Sequence, residues 1–288
     1  MSIFIAYLLE VLFAKPHWLP RPAAGLSVVI KKADSSCRRM FKNPRAASAA
    51  LVLFVIAFAY LSVKFIIWDF SLLGFSSQIF AEALLIYFAL SIKEVKSKLE
   101  ELKNILGEAD SEQLIRSRIE LIAENTAKDI AGVLFYAFLG GPVLVWIYKS
   151  LDILKNEAGQ GHAQRAEPGW LVLKLAWLFD YAPSRICIFL VPFASYACKM
   201  GFKNSFRTAW SDGGISKEIP EAAFAGALGI QLGGLVYHYG LPVHKPYIGE
   251  PLNELNEAHV QKALKLMYVS SAIMVTAMVV INYFWNVL

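Results

Sequence analysis

The sequence predicts an all-α, polytopic integral membrane protein with roughly four to six spanning or re-entrant segments. Apolar residues make up 57% of its 288 positions, and the mean hydropathy is +0.48, above what a soluble domain of this size carries. Several long apolar runs are rich in Leu and Ala and lack the alternation of barrel strands. The formal net charge of +5 is modest. It fits basic cytoplasmic loops and lacks the concentrated basic face that nucleic-acid binding requires. Cys37, Cys187 and Cys198 show neither paired nor metal-ligand spacing, so no disulfide framework or zinc site is expected.

Taken in order, MSIFIAYLLEVLFAK is too short to span and lacks the basic start and cleavage site of a signal peptide. It is expected to lie against the bundle or the interface. Residues 16–30, with Pro16, Pro20 and Pro22 around Trp18, read as a headgroup-level loop. Lys31, Lys32, Arg38, Arg39, Lys42 and Arg45 follow, opposed only by Asp34, and place this region on the cytoplasmic side. Spans are expected at about 46–68 and 71–92, joined by a short connection. Glu82 inside the second span is a functional candidate, a carboxylate near the interface, or one paired with a polar neighbour.

Residues 93–129 form the main hydrophilic, cytoplasmic segment. KEVKSKLEELKNIL has helical period, and Asp110 or Ser111 suits the N-cap of SEQLIRSRIELIAEN. Leu114, Ile115, Ile119 and Ile122 form an apolar stripe there, with Glu120 and Glu124 one turn apart on another face. Such a pair can hold Mg²⁺ or simply be two solvated acids.

The stretch Glu120–Gly141 then turns through Asn125 and Thr126 into an apolar run broken by Gly140-Gly141-Pro142. A broken segment at membrane depth is tolerated where it lines a cavity. Residues 149–169 read as polar and irregular. The run 170–200, cut at Asp180-Tyr181-Ala182-Pro183, is either one kinked span or two half-helices, with Asp180 and Arg185 spaced to form an ion pair. Residues 201–220 read as a polar loop, PEAAFAGALGIQLGG as a small-residue segment suited to close packing, and about 266–287 as the last span. Histidines 17, 162, 238, 244 and 259 have no metal-ligand spacing.

At Glu120-x-x-x-Glu124-Asn125-Thr126, Leu134-Phe135-Tyr136 and Gly140-Gly141 the chain resembles the adenosylcobinamide-phosphate synthase family (CobD/CbiB) of cobalamin biosynthesis. The likeness continues through Tyr148, Gly159, Gly169-Trp170, Tyr181-x-Pro183-x-Arg185, Pro220-Glu221-Ala222-Ala223, Leu232-Gly233-Gly234 and Lys245-Pro246-x-Ile248-Gly249. It covers nearly the whole chain, read as one membrane domain over 1–288. The resemblance implies a bacterial inner-membrane protein that joins an aminopropanol phosphate to a corrinoid carboxylate with ATP and Mg²⁺.

Against the family pattern, acids are missing. Lys15 stands where an acid is expected, and the Ser-Asp-Gly after Glu-Asn-Thr reads Ala127-Lys128-Asp129, an acid only after a one-residue slip. The Asn-Thr-Leu-Asp-Ser-Met run has become Asp152-Ile153-Leu154-Lys155-Asn156-Glu157, the Asp-Asp pair Ala176-Trp177, and the Ser-Pro-Asn-Ala-Gly run Gly214-Ile215-Ser216-Lys217-Glu218. A lysine in place of an acid repels Mg²⁺. The expectation is therefore a catalytically degenerate relative, a scaffold, accessory subunit or sensor for a membrane partner, or a homo-oligomer, with no resident cofactor and no nucleic acid. The alternative is an active amide ligase using Mg²⁺ and ATP. Glu120, Glu124, Asn125, Asp129 and Asp152 are then its catalytic candidates, and Arg185, Glu221 and Lys245 its binding candidates. A regulatory sensor resembling the AmpE branch is a third reading, by fold-level analogy.

Overall fold

The computed structural model describes residues 1–13, 15, 22–106, 111–160, 170–214, 218–238 and 241–287. The loop at 16–20, Asp110 as a cap, and residues 161–169 and 215–217 lie outside that set, as do His17 and His162.

Helices dominate, and among the described residues five apolar helical stretches are long enough to cross a membrane. They are Pro44–Ser71, Phe75–Leu102, Glu112–Glu157, Leu171–Ala197 and Glu257–Phe284. The all-α polytopic class holds. The chain divides into two compact units, one of residues 1–90 and 133–179, the other of 91–132 and 180–288.

The first unit contains α1 (Ser2–Leu12), α2 (Pro22–Met40), α3 (Pro44–Ser71), α4 (Phe75–Ala89) and α7 (Val133–Gln160). Pro44 opens α3 behind Asn43, whose side chain accepts from the Arg45 amide at 2.9 Å. Val52, Val55, Ala83, Ile86, Leu134, Val145 and Leu151 are buried among these helices. Trp146 Nε1 donates to the Leu85 carbonyl at 3.1 Å, tying α7 to α4. Glu157 accepts from Ser27 Oγ at 2.5 Å and meets Lys31 at 3.1 Å, tying α7 to α2. Glu82 accepts from Gln78 at 3.2 Å, the polar-neighbour alternative. Residues 22–30 are helix and not loop, because only the first prolines interrupt the period. Residues 149–160 continue α7 and are not irregular. The break expected at Gly140-Gly141 is real: both depart from helical geometry, Gly141 at φ +62.

The second unit holds α5 (Glu94–Leu106), α6 (Ser111–Asn125), a π-helical segment Thr126–Gly132, α9 (Phe202–Ser211), α10 (Ile219–Leu228), strands β1 (Leu232–His238) and β2 (Leu241–Ile248), and α11 (Glu257–Val287). The chain does not turn at Asn125–Thr126. It widens into π geometry, and Thr126 Oγ1 donates back to the Ile122 carbonyl at 2.7 Å. α8 (Trp170–Ala197) is one helix with Pro183 and Pro192 inside it, which decides between the two readings of that run. The polar loop at 201–220 is corrected too: α9 occupies half of it. β1 and β2 form an antiparallel hairpin with an irregularity between Leu232 and Gly234. The small-residue segment ends as α10 at Leu228, and its last glycines belong to β1. Ile119, Ile122, Phe224, Ile230, Leu232, Ile248 and Val260 are buried in this unit.

Candidate functional site

A buried charged cluster is built from α6, α10 and the hairpin. α6 turns its apolar stripe of Ile115, Ile119 and Ile122 inward, which carries Glu120 into the unit on the adjoining face. Glu120 Oε1 accepts from the Gly233 amide at 2.9 Å, and Oε2 accepts from Lys245 Nζ at 3.1 Å. That amide is available because Gly233 sits at the strand irregularity with φ +84, where a Cβ would stand 2.1 Å from the Pro246 carbonyl oxygen. Lys245 Nζ also donates to Glu221 Oε1 at 3.2 Å. Two carboxylates, each 8% exposed, thus share one ammonium that is 28% exposed.

The charges are not evenly matched. Burial and then the neighbouring Glu120 push the Glu221 carboxyl up from 4.5 to about 7, although Lys245 works against them. Burial alone would lower Lys245, but Glu221 and Glu120 outweigh it and hold the ammonium above the usual lysine value. One cation between two acids leaves the second acid to keep its proton more readily.

A second polar group lies where α6 passes into the π-helical segment. Lys98 Nζ, from α5, donates to Asn125 Oδ1 and to Asp129 Oδ2, both at 3.0 Å. Asn125 Nδ2 in turn donates to the Ser91 carbonyl at 3.2 Å. Glu124 accepts a hydrogen bond from Lys128, one turn on, with its side chain 50% exposed, and its charge adds to the upward push on the Glu221 carboxyl. Asp152 belongs to the first unit, on α7, with Lys155 3.8 Å away. Arg185, on α8, lies 5.2 Å from the Tyr181 ring centre. Lys15 donates to the carbonyls of Phe88 (3.2 Å) and Leu90 at the end of α4, and sits 5.7 Å from the Tyr87 ring centre. It is a helix C-cap.

Of the residues singled out from sequence, the structure gathers Glu120, Glu221 and Lys245 at one point and Asn125 with Asp129 at another. Lys98 was missed. It lies in a solvated Glu/Lys helix whose pattern gives no sign which lysine turns inward. Gly233 was missed because its part is played by its backbone.

The acids as arranged do not fit Mg²⁺. Glu120, Glu221, Asp129, Glu124 and Asp152 each face a lysine, and both oxygens of Glu120 accept hydrogen bonds. Among the described residues no three His, Cys, Asp or Glu side chains gather closely enough to hold a metal ion.

The fold and this cluster define the class: a multi-pass α-helical membrane protein with an acid–lysine site buried beneath a short hairpin. The chain belongs to the CobD/Cbib protein family, whose model matches residues 3–112 and 106–267. It is 28% identical to the cobalamin biosynthesis protein CobD of Clostridium tetani, over 96% of this chain and 95% of that protein. It is also 28% identical to the protein of that name from Clostridium acetobutylicum, over 99% and 98% of the two chains. The Listeria monocytogenes protein of the same name is 27% identical over 93% of each. No solved structure matches the chain.

Proposed function

We propose that this chain is a catalytically degenerate CobD/CbiB-like protein of the bacterial inner membrane, serving cobalamin biosynthesis as a scaffold, accessory subunit or sensor for a membrane partner. The observation that carries the reading is the pairing of every acidic candidate with a lysine, Glu120 and Glu221 with Lys245 and Asp129 with Lys98. A divalent cation would have to displace an ammonium already seated among those oxygens. Lys15 supports the same reading, because in place of an acid it has taken on the capping of α4.

The test is direct. Purified protein in detergent is given ATP, Mg²⁺, a corrinoid acid and aminopropanol phosphate, and amide and ADP are measured. No turnover is expected, and ATP-dependent amide formation overturns the reading. Co-purification of a stoichiometric membrane protein from native membranes is the positive counterpart.

A second reading, an active ATP-dependent amide ligase, is favoured by one observation. Glu120, Asn125, Glu221, Gly233 and Lys245, which match the family's motifs, all fall within one compact unit. On that reading Glu120→Ala or Glu124→Ala abolishes turnover.

A further inference from the structure

We propose that α9, together with the end of α8, is an in-plane membrane anchor whose aromatic face rests among lipid at the membrane–water interface. α9 has 10 residues, about 15 Å of helix, half of what a bilayer core demands. It is nevertheless strongly two-faced. Ser205 and Ala209 are buried against α10, where Ser205 Oγ donates to the Ala223 carbonyl at 2.8 Å. The approach is close: a Cβ on Gly226 would stand 2.4 Å from the Asn204 carbonyl oxygen. Phe202, Phe206 and Trp210, spaced one helical turn apart, run along the flank beside that buried face and turn progressively outward: Phe202 is half-buried, Phe206 37% and Trp210 69% exposed.

That face does not stand alone. On α8, Phe189, Phe193 and Tyr196 share one exposed stripe while Val191, Ala194 and Ser195 are buried behind it. Lys199 at φ 57 and a hydrogen bond from the Met200 amide to the Ser195 carbonyl end α8 and reverse the chain. α9 then runs back beside it. Phe202 comes within 6.0 Å of Phe193 and of Tyr196, and Phe206 within 6.0 Å of Phe189, ring centre to ring centre. Phe206 and Trp210 stack at 6.3 Å.

The aromatic surface of α9 therefore continues the exposed stripe of a helix that is itself long and apolar enough to span. Lipid is the occupant because the two stripes are one surface. Exposed Lys199 and Lys203 border it, and cations at that edge suit anionic headgroups. Aromatic rings with polar tips are the residues favoured at that depth.

The test uses the full chain in phosphatidylcholine–phosphatidylglycerol vesicles. On a Cys37→Ser, Cys187→Ala, Cys198→Ser background, Phe206→Cys, Trp210→Cys and Lys203→Cys are each labelled with an environment-sensitive nitrobenzoxadiazole probe. The probes at 206 and 210 are expected to emit to the blue and to lose about half their intensity to lipid carrying a nitroxide at the shallow carbon-5 position, the depth an interfacial helix reaches. The probe at 203 should instead respond to aqueous iodide. Iodide quenching at all three positions overturns the proposal. So does efficient disulfide cross-linking of two copies of the unlabelled Trp210→Cys variant, which would assign the face to a second chain. Co-flotation of each labelled variant with the vesicles and an unchanged helical circular dichroism spectrum report that the protein is inserted and folded, whichever way the probes behave.

Discussion

Lys245 meets Glu120 at 3.1 Å across 125 residues of chain, and the contact joins the hairpin to α6. Lys245→Met keeps the length of the side chain and removes its charge, leaving two acids buried together. The loss should be about 3 kcal/mol, the low end for breaking a buried pair, because the lysine is 28% exposed. Thermal unfolding in detergent reads it. Adding Glu221→Gln to that variant should restore part of the loss, since one uncompensated carboxylate then disappears.

The same cluster sets a pH dependence. Glu221 binds its proton more tightly folded (about 7) than in the ordinary state (4.5). Between those values the folded protein holds more protons than the unfolded chain, so stability falls as pH rises through that window. Unfolding midpoints at pH 5 and pH 7.5 should show the decline, and Glu221→Gln should flatten it.

Glycine matters at 233 and not at 25. Gly233→Ala forces a Cβ to 2.1 Å from the Pro246 carbonyl at positive φ, and a cost above about 2 kcal/mol is expected from strain of that kind. A Cβ on Gly25 meets nothing within 4 Å, so Gly25→Ala should be neutral or stabilise α2 by about 0.5–1 kcal/mol. Parallel melts of the two variants separate the effects.

Restoring an acid at position 15 should harm the protein. Lys15→Asp removes the donor to Phe88 and Leu90 and sets a negative charge at the C-terminus of α4. The expected cost is about 1–2 kcal/mol. Lys15→Arg, which keeps the charge and the donors, should lose less in the same unfolding assay.

The spans were legible because 20-odd apolar residues in a row admit few structures, and the Gly140-Gly141 break because glycine pairs before proline seldom continue a helix. α9 was not legible as a helix. FKNSFRTAWS is polar on average, and its aromatic residues show their spacing only once Gly201 and Gly213 are taken as its limits. The hairpin was hidden by its composition: Gly233, Gly234, Pro242 and Pro246 all argue against strand when counted singly. Within the site, Glu120, Asn125, Asp129, Glu221 and Lys245 could be nominated from motifs. Their division into two groups could not, since it depends on where α5 brings Lys98 and on which strand edge the bulge frees.

The wide turn between Thr126 and Gly132 has an effect on how this helix compares with others. Hydrogen bonds from i to i+5 enclose one residue more than those from i to i+4. The segment is thus a spacer one residue long, able to take in an inserted position without unravelling its flanks. Set beside a helix that lacks such a spacer, the chain is offset by one from that point, and Asp129, not Lys128, becomes the geometric counterpart of an acid three places after Asn125. Deleting Ala127 would close the spacer into ordinary α geometry and leave Asp129 at the same place on the helix, still facing Lys98.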